Sequence, residues 1–360
     1  MRIYSLKTFD LLSTISGGHK RSVRTCAWKP HVQGESVLAT SSFDATVGIW
    51  RRWDNYGKEE EPQDEEEEEW RFAVLLDGHD SEVKSVSWSP SGMLIATCAR
   101  DKSIWIWEDL DDGDNNVETV AVMQEHQGDV KCVAWHPVEE CLASASYDDT
   151  IRLWREDIDD WTQVACIKRH DGTVWYIDWE GAGNVPSGGI QAAARWKERN
   201  ASSGPRLVSC SDDRTVRVWR KRPKQQQNTP SSAMPSIIRP TGIEETWEED
   251  AVLPRVHELP IYAVAWSKRS GLVASVGADG RIVVYDERFA HGNEEEDVPE
   301  TEWSVIASVV GGHGIYEINH VAWAKRADRG RKQDDDEVLV TTADDGSVKV
   351  WIIGHEENGG

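Results

Sequence analysis

The sequence lacks the features of a membrane-spanning or secreted protein. No apolar run approaches the roughly 20 residues that a helix needs to cross a bilayer. Residues 1–15 contain no continuous apolar stretch, because Lys7 and Asp10 interrupt it, so we expect no signal peptide. The six cysteines never form a CxxC pair, which favours buried thiols of a cytosolic protein over disulfides or metal ligands.

Motifs of the common enzyme and cofactor classes are also missing. The sequence has no HExxH motif, no Walker loop and no glycine-rich dinucleotide fingerprint. We therefore expect no metal and no cofactor, and the sequence gives no argument for catalysis.

Positive charge is scarce, since 40 Lys and Arg stand against 64 Asp and Glu, a formal net charge of −24. Three segments, 54–69, 108–118 and 287–302, carry −9, −6 and −6 of that charge. Acidic runs of this kind are typical of solvated, disordered loops, and the rest of the chain is close to neutral. Because such runs repel phosphates, we expect no direct binding of nucleic acid.

A repeated stretch of eleven residues organises the chain. Ser144–Trp154, SASYDDTIRLW, has the pattern of a strand, a tight turn carrying Asp148 and a second strand. Each copy has Ser or Thr four residues before Asp and an aromatic residue six residues after it. The other copies are TSSFDATVGIW (40–50), TCARDKSIWIW (97–107), SCSDDRTVRVW (209–219), SVGADGRIVVY (275–285) and TTADDGSVKVW (341–351). Six copies with fixed internal spacing indicate a repeat protein.

A second pattern lies upstream of each copy: a His, then an apolar residue, then a Trp five residues later. His126, Val130 and Trp135 are one example. Together the two patterns resemble the WD40 repeat, which folds into a four-stranded blade. We therefore predict an all-β fold, a WD40 β-propeller in a single domain over residues 1–360. The approximate repeats are 14–54, 74–113, 121–160, 165–220, 252–290 and 308–355.

Insertions occur at only one end of the predicted blades. They follow the first or the third strand of a repeat, at 54–69, 180–205, 220–246, 287–302 and 324–337. The connections at the other end stay short, so we expect the binding surface there, on what is called below the top face. Thr8–Ile15 has the pattern of a lone strand. We expect it to pair with the last repeat around Lys349–Ile353, because both edges are otherwise bare.

A Ser/Thr–His–Asp–Trp set recurs in the repeats, with Tyr in place of Trp in one of them. A hydrolase needs its Ser–His–Asp triad once, whereas a structural clasp is needed in every blade. We therefore favour a chain of hydrogen bonds from the Trp ring through the hydroxyl and His to Asp. In three repeats the clasp residues are His79, Thr97, Asp101, Trp107, His126, Ser144, Asp148, Trp154, His170, Ser209, Asp213 and Trp219. One such His per blade cannot converge on a metal.

Two further positions in each repeat are expected on the top face. One directly follows the apolar residue of the first strand, and the other directly precedes the turn Asp. These positions supply the candidate partner-binding residues Arg24, Lys84, Lys131, Trp175, Tyr262, Phe43, Arg100 and Tyr147. Arg and exposed aromatic residues are typical of interface hot spots, although isolated surface cations are often only solvated. We expect Arg100 to bind a partner carboxylate, because its neighbour Asp101 already has His79.

Several stretches match one family more closely than a generic WD40 repeat. SFDATVGIW, ATCARDKSIWIWE, WHPVEECLASASYDDTIRLWRED, HDGTVWYIDWE, SVGADGRIVVY and GHGIYEINHVAW resemble the WD40 subunit of the cytosolic iron–sulfur protein assembly machinery. The resemblance implies a non-enzymatic scaffold that helps to deliver clusters to apoproteins of the cytosol and nucleus and does not ligate a cluster itself. Implied partners are a MIP18-domain protein, a large HEAT-repeat protein, an iron-only-hydrogenase-like cluster carrier and apo iron–sulfur client proteins. That family has seven blades, so we expect a further repeat upstream of Met1.

Two other classes of function remain open at this point. A WD40 subunit of a chromatin or ubiquitin-ligase complex would read a peptide at the central channel. An enzyme is the third class, and no constellation of residues supports it. Co-purified partners would separate the classes, since histones or cullin-type scaffolds would indicate the second.

Overall fold

The computed structural model describes residues 1–53, 70–110, 115–158, 160–186, 190–223, 244–290 and 300–353. The expected acidic loop 54–69 lies outside the described residues, as do the central parts of 108–118, 220–246 and 287–302. Among the described residues, no helix is long and apolar enough to cross a membrane.

Six antiparallel sheets follow an N-terminal hairpin, and each sheet is one blade. The hairpin consists of β1 (Arg2–Tyr4) and β2 (Leu11–Thr14). Blade 1 is formed by β3 (Val23–Trp28), β4 (Glu35–Ser42), β5 (Thr46–Trp53) and β6 (Arg71–Asp77). Blade 2 is formed by β7 (Val83–Trp88), β8 (Leu94–Ala99), β9 (Ile104–Asp109) and β10 (Val117–Met123). Blade 3 is formed by β11 (Val130–Trp135), β12 (Cys141–Ser146), β13 (Ile151–Asp157) and β14 (Asp160–Ile167).

The second half of the chain repeats this pattern with one helix added. Blade 4 is formed by β15 (Val174–Trp179), the helix α1 (Ile190–Ser203), β16 (Leu207–Ser211), β17 (Val216–Lys221) and β18 (Trp247–Val252). Blade 5 is formed by β19 (Ile261–Trp266), β20 (Val273–Gly277), β21 (Arg281–Phe289) and β22 (Thr301–Val310). Blade 6 is formed by β23 (Ile318–Lys325), β24 (Glu337–Ala343) and β25 (Val348–Ile352). The structure confirms the predicted all-β propeller with six blades.

The turn between the second and third strands is the same in all six blades. The Asp side chain accepts a hydrogen bond from the backbone N–H two residues later, as Asp148 does from Thr150 at 3.1 Å. The residue between them has a φ of 62° to 71° in every blade, at Ala45, Lys102, Asp149, Arg214, Gly280 and Gly346. Only two of these six residues are glycine. The Asp side chain therefore stabilises a left-handed conformation that residues other than glycine disfavour.

The hydrophobic core lies between neighbouring blades. Ile106 and Met123 of blade 2 pack with Leu142 and Trp154 of blade 3 in one buried cluster. In blades 2, 3, 4 and 6 the Trp that ends the first strand also bonds to the preceding blade. These bonds run to backbone oxygens from Trp88 Nε1 to Ala27, Trp135 to Ser87, Trp179 to Ala134 and Trp323 to Ala265, at 3.0 to 3.2 Å.

Blades 6 and 1 are not joined in this way within the described residues. The first strands of neighbouring blades contact each other all along the series from β3 to β23, but no comparable contact links β23 back to β3. Trp28 of β3 is 52% exposed, whereas Trp135, its counterpart in blade 3, is 6% exposed. Val348 and Ile352 of β25 are also exposed. The first strands of the described blades therefore do not form a closed ring.

The prediction that Thr8–Ile15 pairs with the last blade is wrong. Within this segment only β2 is a strand, and its partner is β1, with Arg2 opposite Thr14. This pairing closes a loop of only a few residues, which costs less chain entropy than a contact with the distant β25. Ile15 then packs on Leu38 and Trp50 of blade 1.

The predicted insertions contain some regular structure. The insertion 180–205 includes the helix α1, where the sequence suggested only a loop. The insertion 287–302 overlaps the ends of β21 and β22, so Glu287 belongs to a strand. Glu287 is 6% exposed and is therefore not part of a solvated acidic loop.

Candidate partner-binding site on the top face

The clasp of blade 3 is a continuous chain of hydrogen bonds. Trp154 Nε1 donates to Ser144 Oγ at 2.8 Å, and Ser144 Oγ lies 2.8 Å from His126 Nε2. His126 Nδ1 lies 2.9 Å from Asp148 Oδ2. Burial alone would raise the pKa of the Asp148 carboxyl, but hydrogen bonds from His126 and Thr150 outweigh it and lower that pKa. The carboxylate stays ionised and holds the imidazole proton on Nδ1, which leaves Nε2 to accept from Ser144.

The same arrangement recurs in the other five blades. The structure brings His79 together with Asp101 and Thr97, and His170 together with Asp213 and Ser209, with Trp107 and Trp219 completing the two chains. The remaining His–Asp pairs are His19–Asp44, His257–Asp279 and His313–Asp345, at 2.9 to 3.2 Å. In blade 5, Tyr285 replaces the Trp, and its hydroxyl lies 3.4 Å from Ser275 Oγ.

Access distinguishes this clasp from a hydrolytic triad. Thr97, Ser144 and Ser209 are each 0% exposed, so no substrate carbonyl can reach their hydroxyls. The six buried copies of this hydrogen-bonded set satisfy the polar groups inside the fold. The geometry thus fits a structural element repeated in each blade.

The cysteines do not assemble a metal site in the described residues. No group of three or more His, Cys, Asp or Glu side chains among them could hold a metal ion. Burial raises the pKa of the Cys132 and Cys141 thiols to about 12, so both stay protonated near neutral pH. A protonated thiol is a poor ligand for iron or zinc.

On the top face of blades 1 and 2, three cations share one carboxylate. Glu82 accepts from Lys84 at 2.9 Å, and it also lies 3.4 Å from Arg21 and 3.6 Å from Arg100. Lys84 Nζ sits 4.3 Å above the ring of Phe43. Lys84, a candidate partner-binding residue, is thus already paired with a carboxylate two residues away. The Arg100 side chain remains 60% exposed.

The row of cations and rings continues across blades 3, 4 and 5. Lys131 pairs with Asp129 at 3.2 Å and lies 5.4 Å from the ring centroid of Tyr147 and 5.0 Å from that of Trp175. Trp175 in turn meets Tyr262 edge to face, at 5.4 Å between ring centroids. Tyr147 is 61% exposed. Apart from Arg24, the candidate residues thus form two contact groups, Phe43, Lys84 and Arg100 on blades 1 and 2, and Lys131, Tyr147, Trp175 and Tyr262 on blades 3 to 5; together we call them the cation–aromatic row.

Acidic side chains lie on the top face beyond this row. Burial, and then a hydrogen bond with Glu317, raise the pKa of the Tyr262 hydroxyl to about 12. On blade 6, Asn319 Nδ2 donates to Asp344 at 2.5 Å. Of the top-face positions considered from the sequence, the cations thus lie on blades 1 to 3, paired with Glu82 and Asp129, and the acid Asp344 lies on blade 6.

Arg24 occupies a different place from the other candidates. It lines the central channel, a space of about 870 Å³, together with Tyr176 and His320. Tyr176 and His320 contact each other across blade 5, at 5.2 Å between ring centroids. Sequence reasoning missed both, since it considered only the position directly after the apolar residue of the first strand, and these residues lie one position further on.

Sequence reasoning also missed a charged cluster at the opposite end of the blades. Arg206 is 1% exposed and contacts Glu180 at 2.8 Å, Glu287 at 2.6 Å and Asp250 at 3.0 Å. Its guanidinium lies 4.8 Å from the ring centroid of Trp196 on α1. This cluster fixes α1 and joins blades 4 and 5.

Comparison with known proteins assigns the chain to a family. The model of the WD domain, G-beta repeat, matches residues 9–51, 70–108, 117–155, 161–220, 251–286 and 305–351. A relative from Aspergillus flavus, named probable cytosolic iron-sulfur protein assembly protein 1, is 69% identical over 98% of this chain and 90% of its own length. Relatives of the same name from Aspergillus terreus and Penicillium rubens are 70% and 63% identical over the same shares. The chain belongs to this family of WD40 proteins.

The family assignment agrees with the resemblance drawn from the repeat motifs. The stretches that carried that resemblance form the clasp, the top-face turns and the first strands of the blades.

Proposed function

We propose that the chain is a non-enzymatic adaptor of the cytosolic iron–sulfur protein assembly machinery. The observation that carries the proposal is the similarity over 98% of the chain to relatives that bear this name. Two features of the described residues support an adaptor over a catalyst. The clasp hydroxyls are buried, and no cluster of side chains suits a metal ion.

The adaptor acts in the cytosol, as the names of its relatives state of them, and it serves client apoproteins of both cytosol and nucleus. Its partners are a MIP18-domain protein, a HEAT-repeat protein and an iron-only-hydrogenase-like cluster carrier. The cation–aromatic row supports a binding role for the top face, because Arg and exposed aromatic rings are typical of hot spots. Arg100 and Tyr147 are its most exposed members, and each offers a contact that a partner can complete.

Affinity purification tests this proposal directly. The tagged chain is expressed in cells depleted of their own relative, and bound proteins are identified by mass spectrometry. We expect MIP18-domain and HEAT-repeat proteins to co-purify, and the activity of a cytosolic iron–sulfur enzyme to recover. Histones or cullin-type scaffolds in their place, without that recovery, would overturn the proposal.

A metal analysis tests the adaptor role separately. The chain purified without oxygen is expected to be colourless and to contain no stoichiometric iron or zinc, because its cysteines lack ligand spacing. Stoichiometric iron with visible absorption would show that the chain carries a cluster itself.

A further inference from the structure

A cavity of about 270 Å³ lies on the face opposite the top face, between blades 3 and 4. One wall is the turn after β11, with His136 and Val138. The other wall is the insertion of blade 4, with Ala182, Ala201 and Pro205. Pockets for drug-sized ligands typically measure roughly 300–1,000 Å³, so this cavity suits a group about the size of one amino-acid residue.

His136 is the buried polar group of this cavity. It is 4% exposed, and its ring meets Trp179 edge to face at 4.8 Å. Its Nδ1 accepts the backbone N–H groups of Val138 at 3.2 Å and Glu139 at 2.9 Å. Burial lowers the pKa of this imidazole to about 4, so the ring is neutral near pH 7. With Nδ1 acting as an acceptor, the single ring proton sits on Nε2.

The Nε2–H of His136 faces the cavity. A Cβ atom built on Gly204, which also lines the cavity, would lie 3.7 Å from this nitrogen. Among the described residues, no acceptor within hydrogen-bond distance of Nε2 is present. The Nε2–H is therefore open to the cavity, which has a vacant hydrogen-bonding position.

The other polar groups of the walls are held by the fold or lie at the rim. Both carboxylate oxygens of Glu180 accept from Arg206, at 2.8 and 3.0 Å. Asn200 Oδ1 accepts from Arg220 at 2.6 Å, and Asn184 Nδ2 donates to Ser267 O at 3.0 Å. Glu139, which accepts from Arg155 at 2.6 Å, and Lys197 are exposed. To pair with His136 Nε2, a ligand must bring an acceptor, and an apolar body to match Val138, Ala182, Ala201 and Pro205.

We propose that this cavity binds one apolar residue of a partner protein, whose backbone carbonyl accepts the hydrogen bond from His136 Nε2. A neutral amide carbonyl matches a single neutral donor. A carboxylate would lose its hydration for only that one bond inside the cavity. The site is separate from the cation–aromatic row and does not depend on the proposed assembly function.

Saturation-transfer NMR on the full chain tests the site with N-acetyl-leucine N-methylamide as the probe. We expect weak binding, with a Kd of about 1 mM, as is usual for a ligand of this size. Ala201→Trp should weaken it about tenfold or more, because the indole fills the cavity from an exposed helix position. Ala194→Trp is the matched control, since Ala194 lies on α1, is exposed and does not line the cavity. It should leave binding unchanged.

A second variant isolates the hydrogen bond. In His136→Asn the amide oxygen can replace Nδ1 as the acceptor of the turn, whereas the Nε2–H is lost. We expect weaker binding with a melting curve close to that of the parent. If this variant does not fold, Ala201→Trp against Ala194→Trp still decides the case.

Three outcomes would overturn the proposal. One is no binding by the parent up to about 10 mM probe. Another is equal binding by the parent and Ala201→Trp. The third is tighter binding of isovalerate, which has the same apolar body with a carboxylate, since that would assign the cavity to a free acid.

Discussion

Arg100 and Arg206 show two uses of the same side chain in one propeller. Arg206 is 1% exposed, contacts three carboxylates and lies against Trp196. The Arg100 side chain is 60% exposed and shares one carboxylate with two other cations. Burial explains the difference in role. The first arginine is fully committed within the fold, whereas the second retains donors for another molecule.

The comparison also separates the two ends of the blades. At the loop-bearing end, long connections brought a helix and a buried ionic cluster into the structure. At the top face, short turns hold the side chains at fixed positions, and the residues between the clasps are left at the surface. Rigid support beneath exposed side chains is what a binding surface requires.

The largest effect is expected from breaking the buried cluster. Arg206→Met leaves Glu180 and Glu287 buried without their cation, and it should reduce the free energy of unfolding by about 3–5 kcal/mol. Chemical denaturation measures this change. Arg222→Met is the matched control, because Arg222 is 63% exposed and its one ion pair among the described residues is with Glu248. Equal stability of the two variants would contradict the contrast between buried and exposed arginines.

A smaller loss is expected from the clasp. Asp148→Ala removes the acceptor for His126, Thr150 and the backbone N–H of Gln127. A buried donor left unpaired costs about 1–3 kcal/mol, so the melting temperature should fall. Asp149→Ala is the control, since Ala45 already occupies this turn position in blade 1. An unchanged melt for Asp148→Ala would show that the clasp is not needed.

Acid should weaken the fold in two steps. His136 has a pKa lowered to about 4 from an ordinary 6.5, so the unfolded chain binds more protons between these values. The stability held by its neutral form is complete above pH 6.5 and is lost as the pH falls towards 4. The Asp101 carboxyl, lowered from 3.8 to about 2, adds stability that is complete above pH 3.8 and disappears towards pH 2. Each such proton changes the unfolding free energy by up to about 1.4 kcal/mol per pH unit.

Denaturation series between pH 7 and 4 measure the first step. His136→Asn should show a shallower dependence on pH than the parent over this range, because the titrating group is gone. Identical slopes for the two proteins would mean that His136 does not contribute.

The smallest effect on stability is expected at Arg100. Arg100→Glu should change the free energy of unfolding by no more than about 0.5 kcal/mol, as is usual for a surface site. Binding to the proposed MIP18-domain partner or to a proposed apoprotein client should weaken by about 2 kcal/mol or more. A thermal melt and a pull-down measure the two effects. Arg222→Glu, at the other end of the blades, should bind like the parent.

Two results would contradict the assignment of Arg100. Binding that stays intact in Arg100→Glu would move the working surface to the loop-bearing face. A clearly lowered melting temperature would show that Arg100 is part of the fold, like Arg206.

The clasp could be predicted from the sequence because its members keep a fixed spacing. His126, Ser144 and Asp148 lie within 22 residues of one another, and the same spacing from Ser or Thr to Asp recurs in each repeat. The blade type and the short top-face turns follow from the same local pattern. The same pattern gave the candidate top-face positions, although Arg24, which has one of them, lines the central channel.

Other contacts could not be predicted, because they join distant residues without a period. Arg206 and Glu287 are 81 residues apart in different blades, and no repeat position marks either of them. The hairpin of β1 and β2 was missed because only Thr8–Ile15 carried a strand signal. The pairing of Lys84 with Glu82 joins residues that are close in the sequence. It was missed because each repeat position was considered separately.

The left-handed turn position gives the fold a reserve of stability that lies outside the clasp and the core. Lys102 and Arg214 hold φ values of 71° and 63°, a conformation that costs an L-residue roughly 1–2 kcal/mol. Blades 5 and 6 already place glycine there. Lys102→Gly and Arg214→Gly would release part of this cost while the clasp and the core stay as they are. A chain with so many repeated turns can thus gain tolerance to heat in small steps, and could then accept a destabilising change at its binding surface.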